Sequence, residues 1–297
     1  MPTKKVILIA GATGFIGKSL VEELKKSHEV KILTRKKEKL NPEFFYWNPE
    51  KKEIDIQAFE NVTHLINLCG VGIADKRWTR SRKRELLESR VVPTKFLFSQ
   101  IYLMPNLQQY ITASGINCYD TKNQDKIYTE TDELANDFVS DLVKKWEKAA
   151  DIFQAKCLVL KWRISLVLSE NGGGLAKIEK PIKMGFGAVL GSGKQPMPWI
   201  HLEDLVKLVS FGIENHLEGV YHAVADNTTN EEITHLLAKK NNKKIFLPNI
   251  PEFILKLFLG ELSVLVLKGI KASNQKIIKE GFSFKYKKII DCFQKTD

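Results

Sequence analysis

The chain has 297 residues, is 43% hydrophobic and carries a formal net charge of +11, most of it from lysine. That length accommodates one large α/β unit or two modest domains with a sizeable core. Four scattered cysteines (Cys69, Cys118, Cys157, Cys292) contain no CxxC pair, which argues against a metal site or a disulfide framework and fits a reducing, cytoplasmic compartment.

In chain order, residues 6–10 form an apolar strand, with too short an apolar stretch for a signal peptide. Gly11-Ala12-Thr13-Gly14-Phe15-Ile16-Gly17 follows it and opens a helix over 15–26, where Ile16, Leu20, Val21 and Leu24 recur at helical spacing. Strands are expected at 30–34 and 44–47, a helical turn at 54–59 and a buried strand at 62–69. The run Lys76-Arg77-Trp78-Thr79-Arg80-Ser81-Arg82-Lys83-Arg84 precedes Glu85, Glu88 and Arg90. It reads as a helix start with i,i+4 pairs, not a nucleic-acid surface. That helix runs over 80–103 and bends near Pro93. A strand at 109–113, an amphipathic helix at 137–154 and a strand-like run at 156–168 continue the βαβ rhythm of a parallel sheet covered on both faces. Gly and Pro punctuate 172–198, and helices dominate after residue 229. Residues 253–267 are interrupted by Lys256 and Glu261, so they read as an amphipathic helix and not as a membrane span.

A strand, a glycine turn and a helix in that order match a dinucleotide fingerprint. Gly11 permits the tight turn, Gly14 lets the backbone approach a pyrophosphate, and Gly17 brings helix and strand close. The second strand ends Ile32-Leu33-Thr34-Arg35-Lys36-Lys37, with no acid before Glu38. A carboxylate there would repel a ribose 2′-phosphate, whereas Arg35 attracts it and can stack on adenine. This favours NADP(H) over NAD(H).

The sequence resembles the atypical extended short-chain dehydrogenases/reductases of the NAD(P)-dependent epimerase/dehydratase type, in an epimerase-like subfamily. The resemblance is carried by the glycine motif and by Ile66-Asn67-Leu68-Cys69-Gly70, Ile73-Ala74-Asp75-Lys76-Arg77-Trp78-Thr79 and Trp146-Glu147-Lys148-Ala149-Ala150. Further along it is carried by Gly191-Ser192-Gly193-Lys194-Gln195, Trp199-Ile200-His201-Leu202-Glu203-Asp204-Leu205 and Gly281-Phe282-Ser283-Phe284-Lys285-Tyr286. It implies an α/β fold with a Rossmann-type doubly wound parallel sheet and a smaller, mainly helical C-terminal substrate lobe. Residues 1–168 plus about 192–225 would form the NADP-binding domain, and about 169–191 plus 226–297 the lobe. Cofactor contacts are expected from Gly11, Thr13, Gly14, Phe15, Ile16, Gly17, Thr34, Arg35, Leu68, Cys69 and Gly70. The partner implied is a small-molecule substrate, with a homodimer admissible and neither nucleic acid nor membrane involved.

Ser114 matches the family's catalytic serine or threonine, and Tyr119 follows in an aromatic pair position whose first member is here Cys118. The family's Tyr-x-x-x-Lys pair is missing: Phe138 and Leu142 occupy those places, and Lys145 lies two turns from Phe138. A tyrosine of pKa about 10 costs roughly 4 kcal/mol to ionise at pH 7, and neither replacement can lower that cost. Acid/base work would then fall to Ser114 and Tyr119, the latter equally a wall beside the nicotinamide.

Arg77 and Trp78 follow a strand end, where a guanidinium could clamp a substrate carboxylate or phosphate, or begin a helix salt bridge. Arg163 either reaches the same cleft or is a paired structural arginine. His201 reads as structural, before the helix-start acids Glu203 and Asp204. Asn67 is expected to support its strand end. Residues 172–174 read as flexible and 185–198 resemble a mobile lid over substrate, or both are plain surface loops. Two functions stay open: an NADP(H)-dependent reductase or epimerase with a rearranged acid/base set, and an NADP(H)-binding sensor or interaction module without turnover.

Overall fold

Apolar side chains alternate in parity along the central strands, and each parity feeds a different face. In the computed structural model, which describes residues 4–37, 42–170 and 172–293, β1 (Val6–Ala10) sends Ile7 and Ile9 to one core and Leu8 and Ala10 to another. The same division holds along β2 (Glu29–Thr34) and, after β3 (Phe44–Asn48) and the short β4 (Glu53–Ile54), along β5 (His64–Asn67). It continues in β6 (Gln109–Gly115) and, past β7 (Ile127–Tyr128), in β8 (Leu158–Ile164). A sheet buried on both faces is what parallel pairing with crossover helices requires.

After β9 (Leu166–Leu168) and β10 (Pro196–His201), β11 (Gly219–Ala223) completes an eight-stranded sheet in the order β11-β8-β6-β5-β1-β2-β3-β4. Pairing is parallel except where β4 runs antiparallel to β3. One face is covered by α1 (Phe15–Leu24), and the other by α2 (Arg80–Ser99) and the end of α3 (Phe138–Asp151). Beyond α4 (Gly173–Lys183), α5 (Leu202–Glu214) packs beside α1. The chain leaves β1 toward β2 on one side and later adds β5 on the other. This reversal opens a crevice at the carboxyl ends of β1 and β5.

The chain ends in β12 (Asp226–Thr229), α6 (Asn230–Lys240), α7 (Glu252–Leu259), α8 (Val264–Leu267), β13 (Lys271–Ala272) and α9 (Gln275–Lys279). Strands β12, β10 and β9 make a small second sheet, and β13 pairs with β7. Ile277, Phe282, Phe284 and Ile289 join the core that holds Ile7 and Ile9, so the C-terminal segment shares the sheet's apolar packing. Among the described residues no helix is long and apolar enough to cross a membrane.

Several boundaries differ from the sequence expectation. The run 156–168 is two strands in two sheets, parted at Ser165, whose hydroxyl donates to the Ala223 carbonyl at 2.8 Å. Residues 253–267 are two helices, broken where Gly260 takes a left-handed φ of 59°. Residues 54–59 divide between β4 and a 3-10 turn capped by the Asp55 carboxylate, which accepts from the Gln57 amide. Helix α2 carries Pro93 in its interior and stops at Ser99, short of residue 103.

Two of the sequence segments meet across the C-terminal half. The Asp204 carboxylate, 1% exposed, accepts the amides of Lys285 and Tyr286 at 3.0 and 2.9 Å. Burial raises its pKa against those two bonds. His201 caps α5 through Nδ1 and lies on the Tyr286 ring at 3.8 Å, the structural role expected of it.

His64 is fully buried at the start of β5, and its Nε2 finds no partner among the described residues. Burial, then the nearby Lys5 charge, lower its pKa from 6.5 to about 4. The unfolded chain therefore binds this proton more readily than the fold, and stability falls as pH drops from about 6.5 toward 4. The loss attributable to His64 is about 3 kcal/mol. Urea unfolding of His64→Gln at pH 7 and pH 4.5 should show a shallower acid loss than the parent chain; equal slopes would contradict this.

Candidate functional site

Gly11 leaves β1 with a φ of +84°, a left-handed turn. A Cβ there would lie 2.8 Å from the Leu68 carbonyl carbon, so this turn rests on the chain leaving β5. A Cβ on Gly17 would lie 2.4 Å from the Gly11 carbonyl oxygen, so α1 starts against the strand end only with glycine at that place. Gly14 is the N-cap of α1; no side chain among the described residues caps the helix, and its first turn has no acid. The leading amides at Phe15, Ile16 and Gly17 thus lack acceptors within the helix, beside the exposed Thr13 and Gly14, and a helix N-terminus of this kind favours an anion. The Phe15 ring is covered by the chain entering α4: a Cβ on Gly173 would lie 2.7 Å from it. Gly172 and Gly173 are therefore packed against the glycine loop, and Gly174 against Leu166. The segment 185–198 is also tied down, with Leu190 bonded to Asn230 and the buried Gln195 amide donating to the Leu190 and Val266 carbonyls.

Thr34 ends β2 buried, its hydroxyl accepting the Lys36 amide at 3.1 Å, and Arg35 is exposed just beyond. Arg35 stands near the end of β5: burial pushes the Cys69 thiol up to about 12 while the Arg35 charge pulls it down. Glu38, the first acid after the strand, lies outside the described residues. Asn67 fixes the exit of β5 as expected, its Oδ1 accepting the Cys69 amide at 3.0 Å and its Nδ2 donating to Thr94 and Tyr110. Gly70 is exposed and faces Arg90, whose guanidinium holds the Leu86 and Val71 carbonyls. The glycine loop, Arg35 and the Leu68-Cys69-Gly70 turn thus converge on the crevice.

Ser114, at the carboxyl end of β6, donates to Glu147 of α3 at 2.6 Å. Arg163 grips the same carboxylate through Nε and Nη2, both at 2.9 Å, and donates through Nη1 to the Tyr119 hydroxyl. His222 donates from Nδ1 to the Ser273 carbonyl, which leaves Nε2 to accept from the Tyr119 hydroxyl at 2.6 Å. Glu130 accepts the His222 amide at 2.9 Å. Burial lowers the His222 pKa against the Glu130 charge. Burial also raises the Tyr119 pKa against the Arg163 charge. Two expectations are corrected here. Arg163 is 4% exposed with its guanidinium spent on Glu147 and Tyr119, so it is a paired structural arginine, not a cleft residue. Tyr119 is 1% exposed with its hydroxyl shared by His222, Arg163 and the Thr129 carbonyl, so it is neither a free base nor a cofactor wall.

Phe138 and Leu142 belong to an apolar cluster with Trp78, Leu86, Val139 and Leu262. Trp78 meets Phe138 edge-on at 5.0 Å and spends its indole N–H on the Ile73 carbonyl, and Lys83 sits 4.8 Å above the Phe138 ring. Trp78, Phe138 and Val139 face Val264 and Leu267 across a cavity of about 500 Å³. Gly260 lies on its wall, and Arg77 stacks over that glycine: a Cβ there would be 2.9 Å from Nη2. Trp78 therefore lines this cavity and Arg77 packs against one of its wall residues, both apart from the buried Arg163.

Glu147, Glu130 and His222 are the polar residues that sequence reasoning passes over. Glu147 lies inside a family-like segment, but its place just before the helix-face alanine pair gives no sign that it faces Ser114.

Residues 7–139 match the NAD dependent epimerase/dehydratase family, and residues 250–296 match a domain of unknown function, DUF1731. The chain is 31% identical over 290 residues to the epimerase family protein ML0860 of Mycobacterium leprae, covering 96% of this chain and 94% of that protein. It is 30% identical over 288 residues to the epimerase family protein SDR39U1 of Mus musculus, covering 94% and 95%. The crystal structure of human epimerase family protein SDR39U1 (isoform 2) with NADPH has a TM-score of 0.87 to this fold at 27% identity, over 97% of each chain. The UDP-glucose 4-epimerase of Thermus thermophilus in complex with NAD, at 18% identity, has a TM-score of 0.74 over 98% of this chain and 100% of that one, a likeness of fold.

Removing one partner of a buried ion pair costs about 3–5 kcal/mol, because the other charge is stranded. Glu147→Ala should lose that much in urea unfolding, and Ser114→Ala only about 1–2 kcal/mol. A Glu147→Ala cost below about 1 kcal/mol would show that Arg163 is satisfied elsewhere.

Proposed function

Because the chain belongs to the NAD dependent epimerase/dehydratase family, we propose that it binds NADP(H) in preference to NAD(H) and acts as an epimerase- or reductase-type enzyme. The substrate would be small, a carbonyl compound or a nucleotide sugar. The observation that carries this reading is the uncapped first turn of α1 opening beside Arg35 at the sheet's switch point. The NADPH in the human relative's structure supports it.

The residues present fit the nucleotide. Gly11, Thr13, Gly14, Phe15, Ile16 and Gly17 would hold the diphosphate on backbone amides. Arg35 would pair with the 2′-phosphate, with Thr34 fixing the strand end. Leu68, Cys69 and Gly70 would line the adenosine side with backbone. Bound there, the nicotinamide supplies a hydride donor or acceptor. Phe138 and Leu142 hold no transferable proton, and the Tyr119 hydroxyl is committed to the buried network. Ser114 is the remaining hydroxyl of the expected set. It gives its proton to Glu147, so its lone pairs are left to accept from a substrate hydroxyl. Arg77 and Trp78 would hold the substrate. Cytoplasmic residence belongs to the same reading, in keeping with four free cysteines. Binding without turnover is the second reading, favoured by Phe138 and Leu142.

Calorimetry with NADPH and NADH tests the cofactor claim. Arg35→Ala should weaken NADPH binding by about tenfold to a hundredfold, the worth of a charge-assisted bond to phosphate, and leave NADH unchanged. Equal affinities for both nucleotides in the parent chain would overturn the preference.

A further inference from the structure

Exposed apolar side chains of the C-terminal half come from adjoining segments. Helix α7 turns Phe253, Leu257 and Phe258 to solvent, 70%, 70% and 69% exposed, and buries Leu255. By helical period the half-buried Ile254 falls between them, so the outer arc of α7 is hydrocarbon from Phe253 to Phe258. The segment entering α7 adds the exposed Phe246 and Leu247, and the loop after α4 adds Met184 and Phe186. These two segments run side by side. A Cβ on Gly187 would lie 2.8 Å from the Ile245 side chain. Ile250 donates its amide to the Val189 carbonyl at 2.8 Å, and the Gly191 amide donates to the Ile250 carbonyl at 2.9 Å. Pro251, the next residue, is the N-cap of α7. Single exposed apolar residues are ordinary, but a group on adjoining segments marks a surface that something covers.

The same segments are basic. Residues 180–191 and 239–251 contain Lys180, Lys183, Lys239, Lys240, Lys243 and Lys244, and no carboxylate. Lys183 pairs with Glu179 at 2.8 Å and Lys240 with Glu170 at 2.6 Å. Lys180, Lys239, Lys243 and Lys244 are exposed and make no ion pair or side-chain hydrogen bond among the described residues. Unneutralised lysines beside exposed phenylalanines select among occupants. A second copy of the chain, docking by the same face, would set these lysines against themselves, and lysine is depleted from protein–protein interfaces. A nucleic acid would meet Met184, Leu247 and Leu257, which offer no ring for a base to stack on. An anionic bilayer satisfies both features at once. Phenylalanine and leucine side chains enter the boundary between headgroups and acyl chains, and nearby lysines are drawn to the negative leaflet.

We propose that this surface docks the protein reversibly on membranes containing anionic phospholipid, with Phe253, Leu257 and Phe258 at headgroup depth and the unpaired lysines against lipid phosphates. No described helix is long and apolar enough to cross a bilayer, so α7 lies in the interface plane. The sequence suggests no membrane partner because the segments are far apart in the chain and meet only in the fold. Docking depends neither on nucleotide binding nor on turnover.

The full chain is co-sedimented with vesicles of phosphatidylcholine alone and of phosphatidylcholine with about 30% phosphatidylglycerol. It should bind the mixed vesicles at least about tenfold more tightly, and raising salt to about 0.5 M should remove most of that difference. Phe253→Ser with Leu257→Ser should weaken binding to the mixed vesicles about tenfold or more. Lys243→Gln with Lys244→Gln should weaken it about tenfold to thirtyfold. Lys51→Gln with Lys52→Gln removes the same charge at the β3–β4 turn on the sheet's edge and should weaken it less than about threefold. All six positions are exposed, so urea unfolding of each double variant should match the parent chain. Equal affinity for the two kinds of vesicle, no binding to either, or full binding by the Phe253→Ser, Leu257→Ser chain would overturn the proposal. So would a loss at Lys51 and Lys52 as large as at Lys243 and Lys244, since net charge alone would then explain the attraction. A dimer in sedimentation equilibrium that Phe253→Ser with Leu257→Ser dissolves would overturn it too, by making a second copy the occupant.

Discussion

A Cβ on residue 17 would sit 2.4 Å from the Gly11 carbonyl oxygen and 2.6 Å from the Ala12 Cα, closer than atoms can approach. The arrangement of the crevice depends on that missing atom. With glycine there, α1 begins against the end of β1, and its axis is fixed relative to the sheet. Its uncapped amides then face the place where β1 and β5 part. Gly11 repeats the constraint on the other side, where its turn touches the Leu68 carbonyl and brings the β5 exit to the same spot. Phe15, leaving this turn, becomes the surface on which Gly172 and Gly173 close. One steric requirement thus places an anion-binding helix end, two strand exits and the entrance to α4 around a common space.

Beside that space lies a second constraint, electrostatic in kind. Glu147, Arg163, Tyr119 and His222 are buried and satisfy one another, joining α3 to β6, β8 and β11 and reaching Ser273 before α9. Such a network adds little net stability over a well-packed apolar alternative, but every member is costly to remove alone. It therefore acts as a positional lock. The groups chemistry could have used as acids and bases are committed to holding the edge of the crevice in shape. Ser114 stands at its margin, its proton directed inward.

The glycine loop is readable from the chain because its spacing has a local steric cause, and the strands because alternating burial shows in the residues themselves. The break of the run 156–168 at Ser165 is not readable. The apolar pattern continues through it, and the division comes from which sheet each half finds. Gly260 likewise interrupts an apolar pattern that a helix would have continued, and only its left-handed backbone shows the break. The bond from Ser114 to Glu147 spans 33 positions and that from Arg163 to Glu147 spans 16. No periodicity carries such information. Sequence therefore leaves Arg163 open between cleft and core, and it credits Tyr119 with a proton that the fold does not let it release.

The missing tyrosine and lysine become intelligible from the same packing. Leu142 is 4% exposed among Trp78, Leu86, Val139 and Leu262, the last contributed by the C-terminal segment. A lysine at that place would be drawn out of water into an apolar cluster, where desolvation disfavours its charge. A tyrosine at 138 would lose the lysine one turn on that makes it acidic. The C-terminal segment, in closing over α3, removes the conditions under which the usual proton pair works, and residues 138 and 142 carry the side chains that such closure favours. The packing of the C-terminal segment against α3 and the absence of the pair are therefore two sides of one arrangement.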